Sequence, residues 1–164
     1  MTVEVIIEDD RWQSVGLEGL AEKAVAATLA HVGLDPKAWE VSLLGCDDAR
    51  IAALNGDFRE KPAPTNVLSW PSMERGASIA GRPPDPPIGE VELGDIAIAF
   101  ETCQREAAER HLPFEQHILH LIVHGVLHLL GYDHERESDG DLMESTEIAI
   151  LATLGVPDPY CSPI

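Results

Sequence analysis

Between Pro113 and Gly131 the chain carries the feature that most constrains its fold. Ile118, Leu119, Leu121, Ile122, Val123, Val126, Leu127, Leu129 and Leu130 recur so densely that a helix built from them has almost no polar side. Such a helix must be buried, so it is the expected centre of the molecule. Pro113 suits the first helical position, where a missing N–H costs nothing. Gly131 is the expected stop, because glycine enters the left-handed conformation that ends helices.

Histidines interrupt this apolar helix. His124 and His128 stand four residues apart and project from one face, one turn apart. Once the chain turns at Gly131, His134 can be offered to the same point. Three neutral imidazoles meeting at one place leave a fourth coordination position open, the arrangement that separates catalytic zinc sites from closed structural ones. Without a metal, each buried imidazole needs a hydrogen-bond partner. His120 and His117 precede His124 on the same helix. A fourth protein ligand would fill the open position, so the favoured role for His120 is that of a hydrogen-bonded neighbour. His31 and His111 fall near predicted helix ends, where capping or solvation accounts for them.

The remaining segments alternate between strand and helix patterns. Residues 2–7, 39–44, 67–70 and 92–99 read as strands, the first with Val3, Val5 and Ile7 on one face. Residues 17–32, 49–55, 100–110 and 138–154 read as helices around the histidine helix, with Asp47 or Asp48 as N-cap of the second. Residues 72–89, rich in proline and glycine, form an expected mobile loop. A single domain is expected over 1–157, followed by a tail at 158–164.

Charge narrows the function. Twenty-nine acidic residues against eleven basic ones give a net charge of −18. Binding that depends on sheathing phosphates needs the opposite sign, which argues against a general nucleic-acid coat protein. It does not exclude an enzyme whose bound cation supplies local positive charge. Cys46, Cys103 and Cys161 are odd in number and widely spaced, as expected of reduced thiols in the cytoplasm. No signal peptide or membrane span is evident, and no membrane partner is expected.

The spacing His124-x3-His128-x2-Gly131-x2-His134 is that of the zinc ligands in metzincin peptidases. Those enzymes place a glutamate directly after the first histidine as general base; here that residue is Gly125. The ligands match and the base for amide hydrolysis is missing.

The run His124-Gly125-x-Leu127-His128-Leu129-x-Gly131-Tyr132-Asp133-His134 resembles the signature of the YbeY family, bacterial rRNA-maturation factors regarded as metal-dependent endoribonucleases. Leu54-Asn55-x-x-Phe58-Arg59 and Pro64-Thr65-Asn66-Val67-Leu68-Ser69-Trp70-Pro71 resemble a second block of that family, in which aspartate usually stands at the position of Asn66. Leu93-Gly94-Asp95-Ile96 matches a third. The resemblance spans most of 41–154. It implies an α/β (α+β) domain with a small four-stranded mixed sheet, about five helices, and a metal at the end of the buried central helix. It makes His124, His128 and His134 the ligands of one zinc, or of another divalent ion that imidazoles accept, and Arg59 the catalytic group gripping phosphate. Lys61 and Arg136 are candidate phosphate contacts, and Asp133 a candidate acceptor orienting an imidazole.

The expected reaction is single-strand RNA hydrolysis in rRNA maturation, especially at the 3′ end of small-subunit rRNA. Attack by hydroxide and by the RNA's own 2′-hydroxyl both stay open. The expected partners are ribosomal RNA and the small ribosomal subunit with its proteins, whose basic surfaces suit an acidic enzyme. The rivals are a metallohydrolase of another class, a peptidase above all, and a non-catalytic assembly factor stabilised by zinc.

Overall fold

Alternating apolar residues build the first strand, β1 (Val3–Ile7), and it lies at one edge of a four-stranded sheet. The others are β2 (Glu40–Cys46), β3 (Val67–Pro71) and β4 (Glu92–Ala99), in the order β1-β2-β4-β3. β1 with β2 and β2 with β4 run parallel, whereas β3 pairs antiparallel with β4, so the sheet is mixed. The computed structural model describes residues 3–59, 64–72, 80–81, 83–84, 87, 91–133 and 136–160. Most of the proline-rich loop, His134, Lys61 and most of the C-terminal tail lie outside the described residues.

Among the described residues six helices accompany the sheet: α1 (Arg11–Ser14), α2 (Leu17–His31), α3 (Asp48–Arg59), α4 (Phe100–Glu109), α5 (Phe114–Leu129) and α6 (Glu137–Thr153). The additional one relative to the sequence reading is α1, a single turn too short to show a period. It buries Trp12, whose indole N–H donates to the Cys46 carbonyl at 2.8 Å. Asp47 caps α3 as expected, accepting from the Arg50 N–H at 2.8 Å. Pro113 is the N-cap of α5 rather than its first residue. At the other end Gly131 takes φ +104° and the Tyr132 N–H reaches back to the Leu127 carbonyl, closing the helix as its glycine predicted. His111 fills the corresponding position after α4 at φ +55°, a capping role.

Strand alternation sorts the core into two layers. Leu43, Ile96 and Ile98 face the larger one, with α2, α5 and α6; Leu44, Ala97 and Ala99 face the smaller one, with Ile51 and Leu54 of α3. The central helix therefore lies on one face of the sheet and α3 on the other. α5 packs closely on β4 at Gly125, where an added Cβ would sit 3.1 Å from Ile96 Cδ1.

Gly94 carries a stricter requirement. Its φ is +144°, and a Cβ there would lie 2.2 Å from the Trp70 carbonyl oxygen, next to the register shift where β2 meets β4. Gly94→Ala is expected to cost about 3 kcal/mol or more, combining backbone strain with overpacking. Urea unfolding measures it; a loss under about 1 kcal/mol would mean β4 adjusts freely. No helix among the described residues is long and apolar enough to cross a membrane.

Candidate active site

Helical periodicity puts His117, His120, His124 and His128 of α5 along one side of a cleft of about 530 Å³. Asn66, Val67 and Ser69, at and beside edge strand β3, line the same cleft, with Glu106 and Arg110 at the end of α4 and Tyr160 near the C-terminus.

The strongest electrostatic feature is a buried carboxylate from another helix. Glu147 of α6 is only 1% exposed. Its Oε1 accepts from His120 Nε2 at 2.6 Å and from the Tyr160 hydroxyl at 2.6 Å, and its Oε2 from His124 Nδ1 at 3.0 Å. Burial alone would raise its pKa, but the hydrogen bonds from His120, His124 and Tyr160 outweigh burial and hold it at about 2. Burial and the neighbouring carboxylate in turn push the Tyr160 phenol up, so it stays a donor.

An ionised carboxylate only accepts, so His124 in its neutral form must carry its proton on Nδ1. Its Nε2 is then a lone pair directed toward His128, whose Nε2 lies 3.0 Å away. Two imidazole nitrogens bound to one tetrahedral zinc at about 2.0–2.1 Å would stand about 3.3 Å apart. The pair therefore fits a shared divalent cation within a few tenths of an ångström, and a carboxylate behind the histidine is the usual way its tautomer is set. Among the described residues no group of three His, Cys, Asp or Glu side chains is placed to hold a metal ion; the third expected ligand, His134, lies outside them.

The structure thus brings together His124 and His128. Arg59 is the last residue of α3, seven residues before the cleft residue Asn66, and its side chain lies outside the described structure. Asp133 is half-buried just past the α5 stop. Arg136 precedes α6 and its guanidinium pairs with Asp139 at 2.5 Å, the carboxylate that also accepts the Gly81 N–H at 2.7 Å. His120 takes the expected role of hydrogen-bonded neighbour.

Two functional features escape a reading of the sequence. Glu147 is one; its signal was a glutamate on the stripe Met143, Ile150 and Leu151 that α6 buries. The other is the pairing of Glu106 with His117 and Asn66, residues with no local pattern linking them.

A family model described as Endoribonuclease YbeY matches residues 4–155. A Cereibacter sphaeroides protein named Endoribonuclease YbeY is 60% identical over 163 residues, covering 96% of this chain and 98% of that protein. One of the same name from Ruegeria sp. (strain TM1040) is 55% identical, covering 98% and 96%. The solution structure of TM1509 from Thermotoga maritima superposes with a TM-score of 0.57 at 23% identity, covering 98% of this chain and 97% of that one, a likeness of fold.

Proposed function

This chain belongs to the YbeY endoribonuclease family, and from that premise we propose that it is a metal-dependent, single-strand endoribonuclease whose zinc is held by His124, His128 and His134 and whose substrate is ribosomal RNA. The observation that carries the metal dependence is the Glu147–His124–His128 arrangement, which aims one imidazole lone pair at a second imidazole on the wall of a cleft. When bound, such a cation lowers the pKa of a water toward 7 and offsets charge on a phosphate oxygen.

The chain's own groups supply the rest. Glu147 holds the His124 proton on Nδ1, away from the cleft. Arg59 supplies a guanidinium able to bind two phosphate oxygens at once and to favour the charge that develops as phosphorus is attacked. Gly125 stands at the position where a peptidase keeps its carboxylate base, and the missing base weighs against amide hydrolysis. The net charge of −18 suits delivery by basic partners, the assembling small subunit and its proteins, rather than unaided capture of free RNA. The relevant rRNA step is 3′ maturation of small-subunit RNA, in the cytoplasm.

The test is cleavage of precursor small-subunit rRNA by wild type, Arg59→Ala and His134→Ala purified side by side, with metal content determined on the same samples. Wild type is expected to cut. Arg59→Ala should keep its metal and lose about a hundredfold or more in rate, and His134→Ala should lose both. Equal cutting by all three would assign the activity to a contaminant and remove this reading.

A further inference from the structure

Two turns before His124 on the same face of α5, His117 is 3% exposed and its Nε2 lies 3.0 Å from Glu106 Oε1. Asn66 donates from Nδ2 to the same carboxylate, 3.1 Å to Oε1 and 3.4 Å to Oε2, while its own Oδ1 accepts from the Val67 N–H at 2.7 Å. The His117 Nδ1 is buried with no hydrogen-bond partner. A doubly protonated ring would strand an N–H there, so the ring is neutral and gives its one N–H to Glu106. Burial pushes the His117 pKa down, in the same sense. Among the described residues no lysine or arginine lies within 4.0 Å of the Glu106 carboxylate. It is a carboxylate held in place by neutral donors, and 32% of its side chain is exposed.

Arg110, one turn on and lining the same cleft, gives its guanidinium to the Pro159 carbonyl and stands beyond ion-pair distance of Glu106. A carboxylate on this wall therefore disfavours phosphate and suits another part of the RNA. Seven residues of helix separate His117 from His124, about 10 Å along the axis, so the group reached there belongs to a nucleotide beyond the scissile phosphate. Oε1 already accepts twice, whereas Oε2 holds one long bond and has acceptor capacity left. Adenine, cytosine and guanine each present an amino donor. In the first two it stands beside a ring-nitrogen acceptor that the Ser69 hydroxyl in the same cleft can serve, and in guanine beside a ring N–H that also suits a carboxylate. Uracil presents one N–H between two carbonyl oxygens, which would face the carboxylate.

We propose that Glu106, fixed by His117 and Asn66, forms a nucleobase subsite of the cleft that accepts the amino group of adenine, cytosine or guanine and turns away uracil, the one base without an amino group. The proposal rests on the RNA-cleaving reading above.

The experiment digests a random-sequence RNA pool with zinc-loaded wild type, Glu106→Gln and His128→Ala, and sequences the cut ends. Wild type should show uridine depleted roughly tenfold at one fixed position near the cut, the scale of a single base contact. Glu106→Gln adds an amide donor that suits the uracil carbonyl, so the depletion should vanish or reverse, a change of preference that a purely structural role would not produce. A second arm needs only wild type. In a defined RNA with adenosine at that position, replacement by purine riboside, which lacks the amino group, should lower kcat/KM about tenfold. Cutting that depends on His128 but shows no uridine bias, or that ignores the purine riboside, overturns the subsite alone. Cutting that His128→Ala leaves unchanged, or no cutting at all, overturns the endoribonuclease reading and the subsite with it.

Discussion

His128→Ala is expected to abolish zinc binding in the micromolar range and to lower RNA cleavage about a thousandfold or more, the several kcal/mol a catalytic cation supplies. The metal-free protein should meanwhile melt close to wild type. His128 faces the cleft and makes no hydrogen bond to Glu147, so its loss leaves the three donors on that buried carboxylate in place. His124→Ala should remove the same activity at a greater cost to the fold. It takes away the donor to Glu147 Oε2 in a place only 1% exposed, and a buried charged acceptor left short costs about 1–3 kcal/mol. For a domain of this size that lowers Tm by about 2–4 °C per kcal/mol. Zinc titration, RNA cleavage and thermal melting of the two metal-free variants check the split. Wild-type zinc affinity in His128→Ala would remove that residue from the site.

Glu147 carries the second large effect, and two substitutions separate its roles. Glu147→Leu keeps a similar volume but leaves three donors, from His120, Tyr160 and His124, without their acceptor. Breaking a buried charge-assisted network from one side costs about 3–5 kcal/mol, measurable by urea unfolding. Glu147→Gln preserves shape and half the acceptor capacity. With the amide oxygen on His120 and Tyr160, its NH2 faces His124 Nδ1 and forces that nitrogen to accept. The His124 proton then moves to Nε2, the atom aimed at His128, and cation affinity should fall about 10–100-fold, as when a carboxylate behind a ligating histidine is removed. A Gln variant that binds zinc like wild type would show that Glu147 only supports the fold.

The local features of the fold were legible because each is written in a few neighbouring residues. The apolar circumference of α5 announced a buried central helix, Gly131 its end, and Asp47 the start of α3. The alternation of Val3, Val5 and Ile7 announced β1. What stayed invisible was either too short or too distant. α1 is four residues long, less than the period needed to recognise it. Glu106 and Asn66 are forty residues apart, and no local pattern couples them. The carboxylate that meets His124 comes from α6, 23 residues further along the chain, and no local spacing announced it.

By itself the sequence determined which histidines share a face, since 3.6 residues per turn leaves His124 and His128 no choice once the helix forms. The tertiary structure alone decided the protonation and aim of those rings. That depends on α6 laying Glu147 behind α5, as the setting of His117 depends on Asn66, beside β3, meeting Glu106 of α4. Such contacts arise from the burial of whole apolar faces and the sheet order β1-β2-β4-β3, long-range packing that no local spacing encodes.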